Sequence, residues 1–199
     1  MILEPPDEGL SKYQLKYREE FQEDCIYKMR KYLGQVEPER SIRIFLRYNF
    51  TNELDSLLNQ DINLSSLETT DSLDLFNYAV FYGTADHLKK MVHAGVNTTK
   101  RISIEYMGWE LDNPLNLAIA RGKPNVLRYL VEELNMDITG PGGSENSRQI
   151  TPVLIASSTG STECLKYLLQ HGADISSGGN GEIYPPLIAA TYYDQSDIV

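Results

Sequence analysis

The residues of this chain whose types could do chemistry are three histidines, two cysteines and a glycine-rich stretch. Catalysis needs an acid, a base or a nucleophile converging in one cleft. His87, His93 and His171 form no His-x-x-x-His, and neither a Glu-x-x-His nor a paired-cysteine grouping accompanies them, so the usual spacing of metal ligands is missing. No Gly-x-Ser-x-Gly marks a nucleophile. Gly178, Gly179 and Gly181 look at first like a phosphate-cradling loop, but no strand precedes them and no Gly-Lys-Ser/Thr follows. Cys25 and Cys164 fall at apolar helical positions and read as free buried thiols. These residues predict no enzyme, no metal and no cofactor.

The elements that would position any functional group are short helices. Thr151-Pro152-Val153-Leu154-Ile155-Ala156 leads through Gly160 to Cys164, Leu165, Leu168 and Leu169, and closes on Gly172-Ala173-Asp174. Thr151 is placed to cap a helix, and Pro152 occupies the first helical position, where a missing N–H costs nothing. Gly160 permits a tight reversal. The apolar stripe Cys164, Leu165, Leu168 and Leu169 then specifies a second helix, which Gly172 ends. A single hairpin of this kind cannot bury its own apolar faces, so it requires neighbours.

Aligning the chain on Gly160 supplies them. Asn113-Pro114-Leu115-Asn116-Leu117-Ala118 leads to Gly122, Asp74-Leu75-Phe76-Asn77-Tyr78-Ala79 leads to Gly83, and Pro185-Pro186-Leu187-Ile188-Ala189-Ala190 leads to Asp194. A fainter unit runs from Ile42 to Asn63 with its turn at Asn49. The turn positions 49, 83, 122, 160 and 194 are spaced by 34, 39, 38 and 34 residues. With its Thr-Pro start, Gly-Ala-Asp end and period near about 33, the chain resembles the ankyrin repeat family. The Thr of the family motif survives only at Thr151, and Asn77, Asn116, Leu154 and Ile188 stand where its His belongs. The resemblance implies that this Thr and His tie neighbouring turns together. Their loss predicts a weaker array, each missing cap bond costing about 0.5–2 kcal/mol.

The resemblance implies an all-α solenoid of stacked helix-turn-helix units with an N-terminal capping helix, and recognition of another protein through a concave face. That face is made of finger tips and the exposed ends of the first helices. The two residues before each turn are Arg47 and Tyr48, Phe81 and Tyr82, Ala120 and Arg121, Ser158 and Thr159, and Tyr192 and Tyr193. Tyr and Arg bring large area with a polar end, which suits an interface. Arg47, Tyr48, Phe81, Tyr82, Arg121, Ser158, Thr159, Tyr192 and Tyr193, joined by the finger residues Trp109 and Tyr184, are therefore the expected partner-binding set. Residues 98–112, which hold the only Trp, form a connection longer than the family's finger, either packed on its own repeat or aimed at a partner.

Composition bounds the rest. The 199 residues are 41% hydrophobic with a net charge of −10, an ordinary globular balance whose acid excess argues against a nucleic-acid ligand. Asp112, Glu145 and Glu182 in or beside the fingers suggest a basic or mixed partner, while Arg47, Arg101, Arg121 and Arg148 make the sign uneven. No run of 18 apolar residues and no basic leader occurs, so the expectation is the cytoplasm, or the nucleus, without membrane insertion.

Residues 1–10 read as a disordered terminus, 11–40 as an amphipathic capping helix with its linker, and 41–199 as the array. Its units fall near 42–65, 73–97, 113–139, 151–176 and 185–199, the last incomplete. The N-terminal helix caps a monomeric array, or alternatively pairs two copies. Because Val199 falls inside the fifth unit, the natural protein is expected to continue. The segment then reads alternatively as the targeting portion of a larger protein, a ubiquitin-ligase receptor or a bacterial effector, whose activity lies beyond it.

Overall fold

The computed structural model describes residues 27, 38–60, 62–66, 74–99, 104–106, 109–111, 113–138, 150–176 and 185–198. Helices α1 (Pro38–Arg47) and α2 (Thr51–Leu58) form a first hairpin, followed by a 3-10 turn at Leu64–Ser66. Next come α3 (Leu75–Tyr82) with α4 (Ala85–His93), α5 (Pro114–Ala120) with α6 (Pro124–Glu132), α7 (Pro152–Ser158) with α8 (Thr162–Gln170), and α9 (Pro186–Tyr192). The N-terminal helix expected over 11–34 lies outside the described residues except for Tyr27, which is helical and exposed.

Helices of seven to ten residues are too short to persist alone in water, so packing must hold them. The first helices α1, α3, α5, α7 and α9 stack in one column, and the second helices α2, α4, α6 and α8 stack in another. Between the columns runs one continuous core, with Ile42, Phe45, Leu54, Phe76, Leu88, Leu117, Leu127, Leu154 and Leu168 almost fully buried. Each hairpin therefore owes its stability to the hairpins beside it.

The turns show why the spacing works. Asn49, Gly122, Gly160 and Asp194 adopt left-handed backbone, with φ of 57°, 60°, 70° and 57°. At the first and third turns the chain closes by the same pair of bonds: Asn49 and Gly122 N–H reach Leu46 and Ile119 carbonyls, and the next N–H reaches one residue further back. Gly83 differs. Its φ is −82°, and only Gly83 and Thr84 separate α3 from α4, where three residues separate the other pairs. Glycine is needed there for space, because a Cβ would stand 2.7 Å from the Ala79 carbonyl oxygen and 3.0 Å from Leu46 Cδ2.

The expected weakness at the helix starts is corrected by the caps. Asp74 accepts from Asn77 N–H at 2.8 Å, Asn113 from Asn116 N–H at 2.7 Å, and Thr151 from Leu154 N–H at 3.2 Å. Aspartate and asparagine thus perform the bond for which the family motif uses threonine; at the start of α9 Pro185 supplies no side-chain cap. The motif's histidine position fares less evenly. The Asn77 side-chain amide donates to both Asp74 carboxylate oxygens, whereas the buried side-chain amide of Asn116 meets no hydrogen-bond partner.

Residues 98–112 contain an addition to the helical plan. Strands β1 (Ile104–Tyr106) and β2 (Trp109–Leu111) pair antiparallel, with Ile104 opposite Leu111 and Tyr106 opposite Trp109. Leu111 is buried, which anchors the base of this finger to the core beside α5.

Candidate partner-binding face

The outward ends of the first helices bring together aromatic rings and guanidinium groups from successive units. Arg47, the exposed last residue of α1, lies 5.9 Å above the ring of Tyr48 and 5.9 Å above that of Tyr82 in the next unit. Tyr82 in turn packs 4.7 Å from both Tyr78 and Phe81. On the far side Arg121, also exposed, stands 4.5 Å over the Phe81 ring. Three units are thus joined by alternating rings and cations.

Two expected members do not face outward. Phe81 is 5% exposed and serves as the platform beneath Arg121, and Ser158 is fully buried, its hydroxyl donating to the Leu154 carbonyl at 2.8 Å. Successive helical residues point about 100° apart, so one of two neighbours turns inward. Thr159 is half-buried and donates to the Ile155 carbonyl at 2.8 Å. Tyr48 and Tyr193 are half-buried, while Tyr192 is 76% exposed with its ring edge-on to Tyr193 at 5.1 Å. Trp109 belongs to β2, and Tyr184 lies outside the described residues.

The buried Arg43 and half-buried Tyr78 lie beneath this face although only the two residues before each turn, with Trp109 and Tyr184, were expected there. Arg43 sits one turn before Arg47, holds Glu39 at 2.8 and 2.9 Å, and lies 4.9 Å over the Tyr78 ring. Burial and the neighbouring Tyr82 push the Tyr78 hydroxyl up to about 12, against the pull of Arg47, which hydrogen-bonds it, and of Arg43. The signal was the four-residue spacing Arg43–Arg47 and Tyr78–Tyr82, which puts each pair on one helical face.

Behind the face, side chains at the starts of second helices fasten one unit to the one before. Lys123 Nζ donates to the carbonyls of Phe81 at 2.6 Å, Gly83 at 2.7 Å and Val80 at 3.2 Å, closing the C-terminus of α3. Burial, helped by Arg121, lowers the Lys123 ammonium to about 7, while the three carbonyl oxygens favour its charged form. Ser161 Oγ does the same work one unit on, donating to the Ile119 carbonyl at 2.8 Å.

Reactive groups are quiet. His87 is buried in a capping box with Thr84: its own N–H donates to the Thr84 hydroxyl, and its Nδ1 accepts from Thr84 N–H, each at 3.3 Å. Burial lowers its pKa below 6.5. The Cys164 thiol is free, buried and raised to about 11, first by burial and then by Glu163, so it carries little thiolate. Among the described residues no cluster of His, Cys, Asp and Glu could hold a metal, and no helix is long and apolar enough to cross a membrane.

Stacked helical hairpins in two columns define a helical-repeat protein. The chain belongs to the ankyrin repeat family: the family model for ankyrin repeats, in three copies, matches residues 76–178. Such repeats generally serve as protein–protein interaction modules, and the fold is typically non-catalytic. Alpha-latrocrustotoxin-Lt1a of Latrodectus tredecimguttatus is 27% identical over 107 residues, 54% of this chain and 7% of that protein. The crystal structure of the human ASB11 ankyrin repeat domain superposes with a TM-score of 0.61 at 19% identity, over 79% of this chain and 65% of that domain. The chain thus spans a small fraction of the toxin and about two thirds of the ASB11 domain, and the structural likeness is one of fold.

Proposed function

We propose that this chain is a non-catalytic recognition module that binds a partner protein through the outward ends of its first helices. The observation that carries the reading is the Arg47–Tyr82–Phe81–Arg121 row, which crosses three units and sets cations on aromatic rings. Side chains of these types dominate binding energy where they are buried by a partner. The compartment that goes with this reading is the cytoplasm or nucleus. A binding partner recovered by affinity capture on the immobilised chain provides the test. Tyr82→Ala combined with Tyr193→Ala should reduce its recovery at least about tenfold, as expected when two interface tyrosines are lost, with helical circular dichroism unchanged. Undiminished recovery would reject the face.

A second reading is that these repeats target a larger protein whose activity resides elsewhere, as a substrate receptor or an effector would. The observation that favours it is that the matched relative is far longer than this chain. Sequencing the transcript across the codon after Val199 checks it: an immediate stop rejects a C-terminal extension, and an open frame supplies the missing part.

A further inference from the structure

We infer that the face over the first three units recognises a carboxylate-bearing segment of its partner, a deduction that rests on the reading of this face as the binding surface. The overall charge of −10 points the other way, toward a basic partner. The charge is not evenly spread, however. Along α1, α3, α5 and the turns that follow them the exposed charges are Arg40, Arg47 and Arg121; the acid in those elements, Glu39, is held by the buried Arg43, and Lys123 is turned onto the α3 carbonyls. Asp74, at the start of α3, is buried against Asn77.

The second-helix column holds more acids than bases. It carries Glu53, Asp55, Asp86, Glu132, Glu133 and Glu163 against Arg128 and three lysines engaged by the acids: Lys90 with Asp55, Lys89 with Glu133 at 2.7 Å, and Lys166 with Glu163 at 2.8 Å. In units one to three the first helices and the turns after them thus carry the exposed Arg40, Arg47 and Arg121, while acids lie on the second helices and, at Glu105 and Glu110, on the finger strands. The local field, not the net charge, is what a docking segment meets at short range, because screening removes distant charges beyond about 10 Å.

The geometry suits carboxylates in particular. A guanidinium laid over a ring has its hydrophobic face covered and its N–H donors at the edge, where a carboxylate can accept two of them at once. Arg121 lies over Phe81 in this position and is exposed; Arg47, also exposed, stands 5.9 Å from the Tyr82 ring and gives one donor to the Tyr78 hydroxyl. The path through the Tyr82 and Phe81 rings sets their guanidinium carbons no more than about 15 Å apart, which an extended segment of about four or five residues spans. The fitting ligand is therefore an extended peptide with acids about four residues apart and apolar or aromatic residues between them to meet Tyr82 and Tyr48.

Selection of a phage-displayed library of random dodecapeptides on the full chain tests this. Enrichment of Asp and Glu is expected in the selected peptides, with binding to synthetic copies, followed by fluorescence anisotropy, weakening as salt rises. Arg47→Glu with Arg121→Glu should lower their affinity at least about tenfold, and Lys-for-Glu versions of the peptides should bind that variant better than wild type, which also shows that it is folded. Peptides that lack carboxylates yet lose binding on Tyr82→Ala would overturn the acid assignment and leave the face standing. Peptides indifferent to all three substitutions, or a library without binders, would overturn both. Tighter peptide binding by tenfold after Glu19, Glu20, Glu23 and Asp24 are changed to their amides would assign the occupant to the chain's own acidic stretch, and would overturn recognition of a partner.

Discussion

His87 and Lys123 hold the second helices to their surroundings, and both do so with a pKa that burial has lowered. The consequence for His87 is a pH dependence with a definite sign. Its folded pKa lies below the ordinary 6.5, so as pH falls through that value the unfolded chain binds a proton that the folded chain refuses. Stability is therefore complete above 6.5 and declines below it, and protonation also destroys the Nδ1 acceptor of the capping box. His87→Gln keeps an N3 side chain able to close the box and cannot titrate. Urea unfolding at pH 7.5 and 5.5 should show a smaller loss for the variant than for wild type; equal losses would remove His87 as a cause. For Lys123, two opposing effects decide the sign. Removing the side chain relieves the burial of an amine but strips three carbonyls of their donor, and the second effect is larger. Lys123→Met should cost about 1–3 kcal/mol, read from the same urea midpoints.

At the scale of the elements, the turn residue of the second hairpin separates two uses of glycine. Gly83→Ala places a methyl against the Ala79 carbonyl and Leu46, and should destabilise by about 1–3 kcal/mol through overpacking. Gly172→Ala meets open space but a φ of +87°, and should cost about 1–2 kcal/mol from backbone strain alone. Comparison of the two variants by thermal melting checks whether close approach or handedness governs each turn; a harmless Gly83→Ala would refute the crowding. The spacing of the glycines and the apolar stripes made the hairpins legible, because both are imposed by geometry at short range. The one-residue-shorter turn at Gly83 was not, since glycine marks either use without saying which. The finger hairpin was readable in principle. Ile104, Tyr106, Trp109 and Leu111 flank Glu105 and Glu110 in a two-residue alternation, the strand signal, hidden inside a helical array.

For the whole molecule, the proposed recognition surface is the first-helix column, where bases outnumber acids in the first three units, while acids outnumber bases on the second helices. How much of that surface could be read from the chain depends on the distance over which its parts are related. Arg47 and Arg121 lie exposed, and Tyr82 half-buried, where the repeat spacing put them, because each stands at a fixed place in its own repeat. Phe81 and Ser158 were misplaced because the inward turn of a helix end depends on which neighbour it meets. Arg43 and Tyr78 were missed for a like reason: their pairing crosses from α1 to α3. The sign of the local charge was obscured by the average over the chain.

Hydrogen exchange with the captured partner bound tests the recognition face most directly. Amides at residues 47–50, 82–84 and 121–123 should exchange more slowly in the complex than in the free chain. Slowing confined to the second-helix column, around residues 55–60, 89–95 and 128–134, with the first-helix ends unchanged, would contradict it.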